Sequence, residues 1–178
     1  MAQQIALLRG INLGARNRIG MSELRDLLAS AGFDDVRTYV QSGNVVLSTR
    51  ASPEHVARKC EQQIAARFGL DIPVVVRTHD ELAEVVQRNP LGEVAVNPKR
   101  YQVTFLTTEL DPEVVRKLEA AAVDPEQFVI SGREIYAWHP EGIARSRLWT
   151  LLAGRGLGVT ATARNWTTVT KLLALADE

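Results

Sequence analysis

The sequence predicts an α+β protein of two halves, each a mainly antiparallel sheet with helices packed on it. Two observations predict it: the element order β-α-β-β-α-β is complete by residue 78, and a similar order restarts at Tyr101. A third is that strand-length apolar runs alternate with amphipathic helical stripes, with Gly, Pro, Ser and Asn between them. The order is the ferredoxin-like one. The expected organisation is therefore a ferredoxin-like half over 1–78, a helical and irregular connector over 79–100, and a second α+β half over 101–178.

Ile5-Ala6-Leu7-Leu8 is apolar on both parities, which suits a central strand covered on both faces. After a glycine-rich loop, Met21, Leu24, Leu27, Leu28 and Ala31 form a helical stripe, with Ser22 as the expected N-cap and Gly32 as the stop. Val36 to Val40 and Asn44 to Thr49 read as a hairpin through Gln41-Ser42-Gly43. Ser52-Pro53 opens a second helix, whose Val56, Cys60, Ile64 and Phe68 share a face and which Gly69 ends. Ile72 to Arg77 is the fourth strand. Thr78-His79-Asp80-Glu81 fits a capping box for a short helix ending near Asn89-Pro90. In the second half, Tyr101 to Leu106 is a strand and Asp111-Pro112 caps a helix bearing Val115, Leu118 and Ala122. Gln127 to Ile130 and Glu134 to Trp138 form a hairpin around Ser131-Gly132. A helix over Arg145 to Leu152, a turn at Gly154 to Gly158 and a final helix over Thr167 to Ala176 complete it.

Composition sets limits on function. The single cysteine, Cys60, rules out an internal disulfide and a CxxC site, and its place on an apolar helix face gives it a packing role. Met1-Ala2-Gln3-Gln4 lacks the basic start of a signal peptide, and no apolar run is long enough to span a bilayer, so the expectation is cytoplasmic, with no membrane partner. The three histidines, His55, His79 and His139, lack metal-ligand spacing, so no metal and no cofactor is expected. Net charge is zero, which argues against nucleic-acid binding by bulk electrostatics. The charge is nonetheless uneven. Arg9, Arg16 and Arg18 precede any acid before Glu23, and Arg145, Arg147, Arg155, Arg164 and Lys171 occur without a carboxylate between Gly142 and Ala176.

Four motifs follow from that unevenness. In the Arg9–Gly20 loop, Arg9, Gly10, Asn12, Gly14 and Asn17 stand between a strand and a helix start, where backbone amides can converge on an anion. The loop has neither Gly-Lys-Ser/Thr nor dinucleotide glycine spacing. An ordinary β-α loop with Asn residues in turn conformations would look the same. Arg164, Asn165, Thr167, Thr168 and Lys171 surround the start of the last helix, with Asn165 or Thr167 as its cap. Arg145 and Ser146 open another helix, where a bound anion or Glu141 would offset the charge. Ser42 and Asn44 flank the hairpin glycine, where both are default turn residues.

The strings Leu8-Arg9-Gly10-Ile11-Asn12-Leu13-Gly14, Met21-Ser22-Glu23-Leu24-Arg25 and Thr38-Tyr39-Val40-Gln41-Ser42-Gly43-Asn44-Val45 resemble a bacterial family known as domain of unknown function 1697. So do Pro140-Glu141-Gly142-Ile143-Ala144-Arg145-Ser146 and Thr162-Ala163-Arg164-Asn165-Trp166 through Leu172. The resemblance implies two ferredoxin-like halves and a cytoplasmic bacterial protein, and it supplies no activity.

Three functions compete. The first is binding of an anionic or phosphorylated small molecule in a cleft between the halves, through the Arg9–Gly20 loop and the Arg145/Arg164 cluster. The second is a structural or protein-interaction domain without ligand, with Arg9 and Arg164 paired to buried carboxylates. The third, nucleic-acid binding, ranks last, because Ile5-Ala6-Leu7-Leu8 and Val45-Val46-Leu47-Ser48 lack the aromatics on which RNA-recognition sheets stack bases. No histidine or carboxylate can be placed beside the cationic groups, so the sequence decides neither for nor against an enzyme. It leaves the oligomeric state open.

Overall fold

The computed structural model describes residues 1–153 and 156–178. Within them the chain forms β1 (Ala2–Leu8), α1 (Met21–Ser30), β2 (Asp34–Tyr39), β3 (Asn44–Thr49), α2 (Pro53–Phe68), β4 (Val74–Thr78) and α3 (His79–Arg88). It continues with β5 (Tyr101–Leu106), α4 (Pro112–Ala121), β6 (Gln127–Ser131), β7 (Glu134–Trp138), α5 (Arg147–Ala153), β8 (Ala161–Asn165) and α6 (Trp166–Asp177). The strands make two four-stranded antiparallel sheets, ordered β2-β3-β1-β4 and β6-β7-β5-β8. Two compact units result: Met1–Ala83 with Lys171–Glu178, and Glu84–Thr170. The α+β fold of two ferredoxin-like sheets is the expected one.

In the first unit one sheet face packs on helices. Ala6, Leu8, Val45, Leu47, Val74 and Val76 meet Leu24 and Leu28 of α1 and Val56, Cys60 and Ile64 of α2. The alternate residues Ile5, Leu7, Val46 and Val75 are buried too, so β1 is apolar on both parities for the expected reason. In the second unit Leu106, Ile135, Ala137 and Ala161 meet Leu118, Leu148 and Leu152. On the other face Tyr101 stacks on Trp166 with ring centroids 4.8 Å apart, and Tyr136 lies 6.4 Å from Tyr101. Tyr101 and Tyr136 are buried, and burial pushes both phenols up to about 12. These rings form a core; they are not a platform for bases.

The two sheets repeat details as well as order. Leu8 and Leu106 end the first strands and donate their N–H to Gly43 and Arg133 of the hairpin turns. The next residues, Arg9 and Thr107, donate to Pro73 and Thr160, just before the fourth strands. Arg77 pairs with Ile5, and Arg164 pairs with Val103, at matching places in β4 and β8. Both arginines are buried. A cap follows each: Thr78 Oγ1 accepts from Glu81 N, and Asn165 Oδ1 accepts from Thr168 N.

Several local expectations change. Helix α1 starts at Met21 with Gly20, not Ser22, as N-cap, because the Gly20 carbonyl already accepts the Leu24 N–H and Met21 is buried in the core. Thr162-Ala163-Arg164 is strand, since its register on β5 puts Ala161 and the Arg164 stem on opposite faces of a buried sheet. Helix α5 begins at Arg147, two residues later than the basic run suggests. Of the turn expected at 154–158, Gly154 and Arg155 lie outside the described residues.

Candidate functional site

In the first unit the Arg9–Gly20 loop is held by its own side chains. Ile11 and Ile19 anchor it in the core. Asn12, at φ 55°, donates from Nδ2 to the carbonyls of Ile19 and Gln41, while its Oδ1 accepts from Ile19 N. Asn17, at φ 52°, donates to Gly10 O, and Arg18 Nε donates to Gly14 O at 3.1 Å. Gly10 and Gly14 also have positive φ, which glycine adopts at little cost. The Asn12 and Asn17 side chains are therefore engaged in shaping the loop. Arg9 is half-buried; Arg16 is exposed. The hairpin turn beside it behaves alike. Asn44 is fully buried, and its Nδ2 donates to Tyr39 O and Ser42 Oγ, each at 3.0 Å. Gly43 is locked: a Cβ there would lie 2.7 Å from Leu8 Cβ.

Lys171 belongs to the same unit and is exposed on α6. Arg145, Ser146, Arg164, Asn165, Thr167 and Thr168 belong to the second. Arg164 is buried, donating to Thr162 Oγ1 and Ala163 O, and desolvation lowers it to about 10. Asn165 caps α6 through Thr168 N, and Thr167 is exposed. Arg77, at the matching place in the first unit, is buried in the same way, so an arginine here is part of how the sheet is built.

Arg145 and Ser146 lie elsewhere in the second unit, and their surroundings differ. They line a cavity of about 630 Å³ together with Glu126, Glu141, Arg147 and Asp124. Ala121, Pro125, Pro140 and Ala144 supply apolar wall. Ser146 Oγ accepts the Trp149 N–H at 2.9 Å, capping α5. It donates to Glu126 Oε2 at 2.5 Å. His139 Nδ1 meets the same oxygen at 2.6 Å and lies 3.3 Å from Ser146 Oγ. His139 is fully buried, edge-on to Trp149, and its backbone N–H donates to Arg100 O. Its Nε2 is buried without a partner among the described residues. The Glu126 side chain keeps 15% of its surface exposed. Arg145 and Arg147 are exposed, and neither is ion-paired among the described residues.

The sequence reading selected Ser146 and Arg145 and missed Glu126 and His139. The signal was present in the hairpin. Gln127 pairs with Trp138, so one step beyond the ladder brings Glu126 opposite His139. Extending the register of the expected hairpin by one pair finds both.

Elsewhere the chemistry is limited. Burial pushes the Cys60 thiol up to about 12, so it packs and does not react. In the first unit His79 lies between Asp80 Oδ1 at 3.0 Å and Asp177 Oδ1 at 2.5 Å, and hydrogen bonds to Asp80 first, then Asp177, raise its pKa. Among the described residues no group of three or more His, Cys, Asp or Glu could hold a metal ion, and no helix is long and apolar enough to cross a membrane.

A protein-family model described as "Protein of unknown function (DUF1697)" matches residues 1–136. No curated protein matches the chain. Among solved structures it is similar to the conserved bacterial protein SP0830 from Streptococcus pneumoniae, at 23% identity over 98% of each chain with a TM-score of 0.76. At that identity the likeness is one of fold.

Proposed function

We propose, for a chain that belongs to the family of unknown function DUF1697, that it binds an anionic or phosphorylated small molecule in the cavity of its second unit. The observation that carries this reading is that two exposed guanidinium groups, Arg145 and Arg147, line one cavity. The volume of about 630 Å³ suits a metabolite-sized ligand. Neither cation is ion-paired to a described residue, although Asp124, Glu126 and Glu141 line the same cavity, and a planar guanidinium matches phosphate or carboxylate oxygens two at a time. The Arg9–Gly20 loop and the Ser42–Asn44 turn support a structural role better, because their polar side chains are engaged in shaping them.

The test is thermal unfolding with inorganic phosphate. Ligand bound only by the native state stabilises it by an amount that grows as the logarithm of one plus the ratio of ligand concentration to Kd. Phosphate is expected to raise the Tm of the wild type, and the Arg145→Ala/Arg147→Ala double variant is expected to lose that rise. No rise at all, or an equal rise in the double variant, rejects the reading.

A further inference from the structure

We propose that Glu126 selects the ligand of this cavity by accepting a hydrogen bond from a ligand hydroxyl, so that the ligand is a phosphorylated polyhydroxy compound. The inference rests on the anion-binding reading above and narrows it. Two donors, Ser146 Oγ–H at 2.5 Å and His139 Nδ1 at 2.6 Å, converge on one oxygen of Glu126, Oε2. A carboxylate offers about four acceptor positions over its two oxygens. Glu126 lines the cavity and is only partly exposed, so its remaining acceptor capacity faces the ligand space. An ionised carboxylate cannot donate; whatever meets it must bring an O–H or N–H.

A hydroxyl fits better than an ammonium. Asp124 and Glu141 line the same cavity as Arg145 and Arg147, so charge alone does not decide, but an ammonium is strongly hydrated and loses more on entering a partly buried site. The guanidinium groups take the phosphoryl end and Glu126 takes the hydroxyl end. His139 is the positioning residue. Its ring is fixed by burial and by Trp149, and its contact with a carboxylate assigns the proton to Nδ1.

The same geometry argues against a nucleophilic serine. In a hydrolase triad the histidine bridges hydroxyl and carboxylate through its two different nitrogens. Here Ser146 donates its hydroxyl hydrogen bond to Glu126 directly, and its oxygen already accepts from Trp149 N. The cluster is an acceptor scaffold.

Calorimetric titration of the intact protein tests this with four probes: inorganic phosphate, propyl phosphate, glycerol 3-phosphate and phosphoethanolamine. A hydrogen bond to a charged group is worth roughly a tenfold or greater difference in affinity. Glycerol 3-phosphate is therefore expected to bind at least about tenfold tighter than propyl phosphate, which has the same chain without hydroxyls. Glu126→Gln is expected to shrink that preference, read as the ratio of the two ester affinities. Equal affinity for the two esters overturns the inference, even if the variant fails to fold. So does a preference unchanged in Glu126→Gln, or tightest binding by phosphoethanolamine. If inorganic phosphate and both esters bind equally, only this inference falls. If none binds, the anion reading falls with it.

Discussion

Ser52 in the first unit and Ser146 in the second stand at matching places in one topology. Each follows the third strand of its sheet and accepts a hydrogen bond from the N–H three residues on, His55 or Trp149. Ser52 faces solvent, and its side chain makes no further hydrogen bond among the described residues. Ser146 is buried and donates to Glu126, which also takes His139. The fold needs the cap in both units, whereas the carboxylate and the histidine exist in one. A second contrast runs the other way. The connection between first strand and first helix spans Arg9 to Gly20 in the first unit and only Thr107 to Asp111 in the second. The longer loop looks functional in sequence, yet its Asn side chains close on its own backbone. The candidate site proposed above therefore rests on polar residues beyond what the fold uses, and not on loop length.

The comparison can be broken first at the hairpin glycines. Gly43 sits at φ 80° with Leu8 Cβ 2.7 Å from any added Cβ, while Gly132, at φ 58°, has open space around it. Left-handed strain and overpacking together should make Gly43→Ala cost about 3 kcal/mol. Gly132→Ala carries only the strain, about 1 kcal/mol. Chemical denaturation of both variants checks this, and similar losses would mean the first hairpin is not locked against β1.

Next come the caps. Ser52→Ala should lose about 1 kcal/mol, an ordinary N-cap. Ser146→Ala removes a cap and also leaves Glu126 short of a buried donor, so about 2 kcal/mol is expected. If the two serines cost the same, Ser146 is merely a cap and the second unit has no special cluster.

The smallest effect is the pH dependence at His79, which is confined to the first unit. Its folded pKa is raised by Asp80 and then Asp177. The stabilisation is therefore fully present below the unfolded value of about 6.5 and fades as pH rises through the higher folded value. His79→Gln should abolish that dependence. Denaturation midpoints measured on both sides of neutrality would show it, and a wild type that gains stability from this site as pH rises would contradict the sign.

Much of this was legible in the sequence. The strand-length apolar runs and helical stripes gave every element but β8, because both faces of β1 and one face of α2 are dictated by burial. The start of α1 and the existence of β8 were not. Met21 and the Arg164 stem obey tertiary burial, which overrides local capping chemistry and polarity. For the site, Arg145 and Ser146 were visible as a basic run opening a helix. Glu126 and His139 were hidden because their meeting depends on hairpin register, which composition does not reveal. Arg164 stood out for its charge, yet the strand placement that buries it, as Arg77 is buried, appears only once the two sheets are compared.

The central claim is that the second unit, and not the glycine loop of the first, holds the ligand. Backbone chemical-shift mapping of the isotope-labelled full chain during titration with inorganic phosphate tests it most directly. Saturable shifts concentrated at Glu126, Gly142, Arg145, Ser146 and Arg147 are the predicted result. Shifts concentrated between Arg9 and Gly20, or no saturable shifts anywhere, would contradict it.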